Sequence, residues 1–169
     1  MKRLFVTVPV ALLALWALAG TTLADEGSSS LRTSLSGFQE VPPKLTNGHG
    51  TVTLRLGVRS IDYVLTYSGL SSDARAAHLH FAQKGVNGGI FAFLCGGGGK
   101  PDCPPQGGTV RGTITAANIL ALPDQGLREG DFAGAVRIIR SGDAYANVHS
   151  VTFPEGEIRG QLPGSGRDD

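Results

Sequence analysis

Thr51-Val52-Thr53-Leu54-Arg55-Leu56 and, four residues later, Ile61-Asp62-Tyr63-Val64-Leu65-Thr66-Tyr67 decide the fold. In the first run Val52, Leu54 and Leu56 share one face of an extended chain; in the second Ile61, Tyr63, Leu65 and Tyr67 do. A period of two marks strands and not helices. Gly57 breaks the first run, and the spacing predicts an antiparallel hairpin with one buried face.

Upstream, Asn47-Gly48-His49-Gly50 reads as a turn, and Thr33 to Phe38 as a first strand. Glu40-Val41-Pro42-Pro43 must leave the ladder, because neither proline can donate a hydrogen bond. Downstream, Ser71 to Arg75 connects to a strand over Ala76 to Phe81, and Gly85-Val86-Asn87-Gly88-Gly89 is a turn signal. Ile90 to Cys95 is an apolar strand. Gly108-Thr109-Val110-Arg111-Gly112-Thr113-Ile114 has a near copy in Gly156-Glu157-Ile158-Arg159-Gly160-Gln161-Leu162, which predicts two similar strands, each turning an arginine outward. Between the copies, Asp131 can cap a short helix with Phe132, Val136 and Ile139 on one side and Gly142 at its end. Ala116 to Leu120 predicts one more helical turn, and Ala144 to Val151 another strand. Seven or eight short strands with one or two short helices predict an all-β fold, a Greek-key β-sandwich.

The chain has 169 residues, enough for one domain with a substantial core. Lys2 and Arg3 precede an apolar run from Leu4 to Ala19, and Thr22-Leu23-Ala24 fits signal peptidase, so residues 1–24 read as a signal peptide. The run is short for a bilayer span of about 20 residues, so no stable membrane anchor is expected after cleavage. Residues 25–30 read as a loose leader, 31–163 as the folded domain and 164–169 as a loose tail. Export would end in the periplasm or outside the cell. With 15 basic and 14 acidic residues interspersed, there is no basic stripe, and nucleic acid is not implied as a partner. The 25 glycines follow no G-X-Y period and fit a turn-rich β protein. Cys95 and Cys103 flank a glycine run and, in an exported chain, read as one disulfide worth about 2–3 kcal/mol. A thiolate metal site would need more thiolates or a nearby histidine cluster.

The chemistry concentrates in Ala77-His78-Leu79-His80-Phe81, whose two histidines share a strand face, and in Tyr145-Ala146-Asn147-Val148-His149, which alternates in the same way. Two imidazoles on one strand and a third from another would make a three-ligand site for Cu or Zn. The competing reading is a hydrogen-bonded structural cluster, in which Asn147, Glu157 and nearby carbonyls supply partners for the buried rings. His49 reads as an exposed turn residue. Nothing in the spacing of Glu40, Glu155 and Glu157 demands paired carboxylate chemistry; Glu157 and Arg159 fall on one strand face and suggest a surface ion pair. No serine lies in a G-x-S-x-G turn, and Gly96 to Gly99 lack the Lys-Ser/Thr of a phosphate loop.

Gly37-Phe38-Gln39-Glu40-Val41-Pro42-Pro43, Tyr67-Ser68-Gly69-Leu70, Ala77-His78-Leu79-His80, Gly85-Val86-Asn87-Gly88, Tyr145-Ala146-Asn147-Val148-His149 and Pro154-Glu155-Gly156-Glu157-Ile158-Arg159-Gly160-Gln161-Leu162 occur in that order. As an ordered set they resemble the CHRD domain, the module named after chordin and found singly in many exported bacterial proteins. The resemblance implies an exported β-sandwich and marks Glu40, Asn147, Glu157 and Arg159 as motif residues. In chordin the domain belongs to a secreted antagonist of growth-factor signalling, a role that goes with cysteine-rich modules this chain does not carry; most bacterial members have no assigned activity. The H-x-H strand is also similar to the copper strand of Cu/Zn superoxide dismutase. That enzyme needs further histidines and an Asp zinc ligand, whereas only His49 remains here, which argues against dismutase activity. Two functions stay open: a binding module without catalysis, for an unknown protein or small ligand, and a copper-dependent redox or copper-handling protein.

Overall fold

In the computed structural model, which describes residues 29–165, the chain forms eight antiparallel strands. Three come first, β1 (Ser29–Ser36), β2 (His49–Leu56) and β3 (Ile61–Ser68). The predicted hairpin is β2 and β3, with Val52 opposite Leu65 and Leu54 opposite Tyr63, all buried. Asp62 and Thr66, which flank Tyr63 and Leu65 in sequence, face out. The period of two thus decides which face is core, as a half-buried antiparallel pair requires.

The remaining strands are β4 (Ala74–Phe81), β5 (Gly89–Cys95), β6 (Gly107–Ile114), β7 (Ala144–Ser150) and β8 (Ile158–Gln161). Along the sheet they run β5-β4-β7-β8-β1-β2-β3-β6. β8 and β1 meet at the single pair Ser36 and Arg159, so the sheet falls into two four-stranded halves hinged at one corner. Leu54, Ile61 and Leu65 of one half and Leu79, Ala92, Ala146 and Val148 of the other belong to one buried apolar cluster. β5 and β6, the two ends of the sheet, approach each other without joining in a ladder. Read round this nearly closed sheet, β4, β5 and β6 are neighbours and β3 lies beside β6, which is a Greek key. Across the gap the Tyr63 hydroxyl donates to the Leu94 carbonyl at 2.6 Å and straps β3 to β5.

The predicted helix is α1 (Phe132–Ser141), where Asp131 accepts a hydrogen bond from the Gly134 amide and Gly142 closes the last turn in the left-handed region. Ala135, Ile138 and Ile139 are its buried side chains, and Phe132 and Val136 pack against the core edge. Single 3-10 turns occupy Gly37–Gln39, Ala116–Asn118 and Pro123–Gln125. The two later turns cover the free edge of β5: Leu120 N–H donates to Phe91 O, and Gly89 N–H to the Gln125 side chain. Cys95 and Cys103 are joined, their Cα atoms 5.1 Å apart.

Three expectations are corrected. β1 starts at Ser29, with Ser30 opposite Arg55, so residues 29 and 30 belong to the sheet and not to a loose leader. The strand also ends at Ser36, because Gly37 to Gln39 turn. At the other end Ser165 N–H donates to Arg140 O, which ties the start of the expected tail to the end of α1. The expected signal peptide, residues 25–28 of the leader and residues 166–169 of the tail lie outside the described residues. Among the described residues no helix is long and apolar enough to cross a membrane.

Replacing Tyr63 with Phe removes the strap and leaves the Leu94 carbonyl without that donor in the interior. The expected loss is about 1–2 kcal/mol in unfolding free energy from urea melts. Arg111→Ala, on the exposed face of β6, should stay within about 0.5 kcal/mol. Equal melts for the two variants would remove the strap from the account of stability.

Candidate functional site

β4 lies between β5 and β7, and β7 between β4 and β8. In this register His78 faces Asn147, His80 faces Tyr145, and Asn147 faces Arg159. Residues directly opposite on neighbouring strands share a face, so these five and His149 stand on one side of the half-sheet. Leu79, Ala146 and Val148 stand on the other, in the apolar core. The polar side is not solvent: His78 and His80 are each 6 % exposed, His149 9 % and Arg159 2 %. Backbone groups of the connections around residues 86–88 and 154–156 reach into it.

The connections fix the proton positions. The Gly88 carbonyl lies 3.0 Å from His80 Nδ1, and the Pro154 carbonyl 2.8 Å from His149 Nδ1. A carbonyl can only accept, so both Nδ1 atoms carry the proton and both Nε2 atoms carry the lone pair in the neutral rings. Each of those Nε2 atoms is 3.0 Å from the same oxygen, Asn147 Oδ1. His78 Nδ1 is 3.0 Å from His149 Nε2 and donates to it. One nitrogen from each of the three rings lies within 4.8 Å of the other two. The predicted convergence of His78, His80 and His149 is therefore present.

Electrostatics keep the rings neutral. Burial brings His78 down to about 3, helped by the neighbouring His149 and His80. Burial likewise brings His80 down to about 4, against the pull of its Gly88 hydrogen bond, and lowers His149. Packing sets the ring planes. Phe93 meets His78 edge-on at 4.5 Å between centroids, and Tyr145 stacks on His80 at 4.5 Å and 5°.

Arg159 overturns two expectations. It does not turn outward as Arg111 does, and it makes no surface ion pair with Glu157. Its guanidinium lies 3.4 Å over the Tyr145 ring and donates to Asn87 Oδ1 at 3.1 Å and to Val86 O at 2.7 Å. A buried cation held by a ring face and two oxygens is a favourable arrangement. Glu157 is also buried, but faces elsewhere. It accepts from the Thr46 hydroxyl and from the Ser71 amide and hydroxyl, and supplies no histidine partner. Burial raises its pKa, and the hydrogen bonds from Ser150, Thr46 and Ser71 outweigh that, leaving it below the usual range. At Glu40 burial wins instead: it raises the carboxyl to about 7, against the Arg159 charge and hydrogen bonds from the Val41 backbone and Asn147.

Sequence reasoning passed over Tyr145, Phe93, Asn87 and Gly88. Gly85-Val86-Asn87-Gly88 is the signal that could have found two of them, since its turn is also a lid. Gly88 donates its N–H to the Tyr145 hydroxyl at 3.3 Å while its carbonyl takes His80. A side chain there would meet the Phe81 carbonyl at 1.9 Å, so only glycine lets the lid come this close.

The shifts fix a pH dependence. The unfolded chain protonates its histidines near 6.5, whereas the folded protein resists until about 3 to 4 at His78 and His80. Between those values the unfolded state binds more protons, so stability is full above about 6.5 and falls as pH drops. Glu40 acts in the opposite sense: raised from 4.5 to about 7, it stabilises below 4.5, and that contribution is lost as pH rises through 7. Three lowered histidines outweigh one raised carboxyl. The urea midpoint in the presence of a chelator should fall from pH 6.5 to pH 5, and a midpoint that rises instead would contradict neutral buried rings.

Residues 31–162 match the CHRD domain, which spans β1 to β8 and every side chain of the cluster. No curated protein and no solved structure matches the chain. The ordered motifs around the histidines and the extent of the match agree, and the chain belongs to the CHRD domain family.

Proposed function

We propose that this domain is an exported binding module without catalysis that holds a transition metal ion, Cu(II) or Zn(II), on His78, His80 and His149. The observation that carries the reading is the facing of acceptors. With both Nδ1 protons committed to backbone carbonyls, the Nε2 atoms of His80 and His149 carry no proton and each lies 3.0 Å from Asn147 Oδ1, while His149 Nε2 also accepts from His78 Nδ1. Acceptors that face each other at 3.0 Å, as His80 Nε2 and Asn147 Oδ1 do, repel unless a positive charge sits beside them. A purely structural hydrogen-bonded cluster accounts for the two carbonyl contacts and for the bond from His78 to His149, but leaves His80 Nε2 and Asn147 Oδ1 facing each other without a proton.

The donor set fits such an ion. Neutral imidazole suits Cu(II) and Zn(II), and a ligand ring that donates its other N–H to a carbonyl is a frequent supporting arrangement. His78 would shift its proton from Nδ1 to Nε2 to join the other two. The apolar N-terminal run after Lys2 and Arg3 supports export, and the bond between Cys95 and Cys103 fits an oxidising compartment such as the periplasm or the exterior. The alternative is a copper-dependent redox or copper-handling protein built on the same histidines. Its particular support is Tyr145, an oxidisable ring stacked on His80.

Calorimetric titration with Cu(II) and Zn(II) should give one site per chain. His80→Ala should weaken it by more than the about 10–100-fold that loss of a mere supporting partner costs. Unchanged binding in the variant would take these histidines out of the site, and no binding of either ion would end the metal reading.

A further inference from the structure

Among the described residues two carboxylates are buried, Glu40 and Glu157. Glu157 takes Thr46 and Ser71 on Oε1 and faces away from the histidines, its Oε2 being buried without a partner. Glu40 is 5 % exposed, and its Oε1 is buried without a hydrogen-bond partner. It sits behind Asn147: the amide that turns Oδ1 to His80 and His149 reaches the Glu40 carboxyl with its other end. Gly156 makes room for this contact. At φ +124°, a side chain on it would come within 2.6 Å of Glu40 Oε1 and 2.9 Å of Asn147 Nδ2. The carboxyl, the amide and the two imidazole nitrogens therefore form one line.

The charges around that line are unbalanced. All three candidate ligands are neutral imidazoles, and Arg159 adds a buried positive charge that faces both Glu40 and His80. Lys44 also faces Glu40, and Tyr145 faces it with a phenol. Glu155, near His149, is on the surface, where solvent screens it. A divalent ion entering this set finds one buried carboxyl whose Oε1 has no hydrogen-bond partner. We infer that Glu40 is a positioning and charge-compensating residue of the site, acting through Asn147, and that it makes the site selective for divalent over monovalent ions. The inference rests on the metal reading given above. Ionised Glu40 accepts from Asn147 Nδ2, which keeps Oδ1 turned to the ion, and its field stabilises the ion in proportion to the ion's charge.

The test compares Zn²⁺ with Ag⁺, a monovalent ion that also binds imidazole, in chloride-free buffer at pH 8, above the value near 7 that burial gives Glu40. Glu40→Gln keeps the shape and removes the charge. It should weaken Ag⁺ by about 10-fold and Zn²⁺ by about 100-fold, because the lost Coulomb energy doubles with ionic charge. Equal losses for the two ions, or none, would overturn the inference while leaving the metal site standing. Absence of binding by the unaltered protein would overturn both. Should Glu40→Gln fail to fold, the unaltered protein is titrated at pH 6 and pH 8. Arg159 stays charged and Tyr145 stays neutral over this range, so the Zn²⁺ affinity should rise more steeply than that of Ag⁺, and parallel profiles would overturn the inference.

Discussion

The constraint on which the rest of the structure depends is that the half-sheet of β5, β4, β7 and β8 is covered on both faces while only one face is apolar. Ala77, Leu79, Ala146 and Val148 meet the common core, and burying them needs no further device. The opposite face carries three imidazoles, an amide and a guanidinium, and buried polar groups must find partners or cost stability. Those partners are mostly backbone oxygens delivered by connections: Val86 O and Gly88 O from one, Pro154 O from another. The loops are ordered because the polar face needs them, and the polar face is dry because the loops are there.

This dependence explains why the charged residues of one short motif part company. Glu157 and Arg159 are two apart, yet Glu157 precedes β8 and turns to the hydroxyls of Thr46 and Ser71, whereas Arg159 lies within β8 and enters the polar face. A direct ion pair between them would be a buried pair, whose desolvation offsets much of its Coulomb gain. Each instead forms its hydrogen bonds with neutral groups. Among the described residues Arg159 has no carboxylate at contact distance, and the buried carboxyl that acts on it is Glu40, whose own ionisation the same burial opposes.

The fold was legible because its signals are local. Alternation in Thr51 to Leu56 and Ile61 to Tyr67 specifies a hairpin whatever else the chain does, and Asp131 and Gly142 bracket α1 by capping chemistry alone. The convergence of His78, His80 and His149 was legible for a similar reason, since H-x-H on a strand puts two rings on one face and a matching alternation offers a third. Whether that face meets water was not legible, because alternation assigns residues to sides and does not say what covers a side. Arg159 and Arg111 sit in near-identical motifs and end in opposite surroundings, since β8 is covered by the 86–88 connection and the arginine face of β6 is open. Tyr145 escaped notice for the same reason: its role comes from being flanked by His80 of β4 and Arg159 of β8, a relation that only sheet order supplies.

The source of the hydrogen bonds also fixes how rigid the candidate site is. His80 and His149 are held at Nδ1 by carbonyls, which belong to the backbone and so survive any substitution that leaves the loop path intact. Gly88 and Gly156 are the positions where that path itself depends on a side chain being absent. His78 differs from the other two. Its one hydrogen bond goes to another of the three rings, and its orientation otherwise rests on the edge of Phe93. Two ligands would thus be preorganised by the fold and the third by packing alone. Binding an ion would break the bond between His78 and His149 while disturbing no backbone contact, which confines the rearrangement to one ring and one proton.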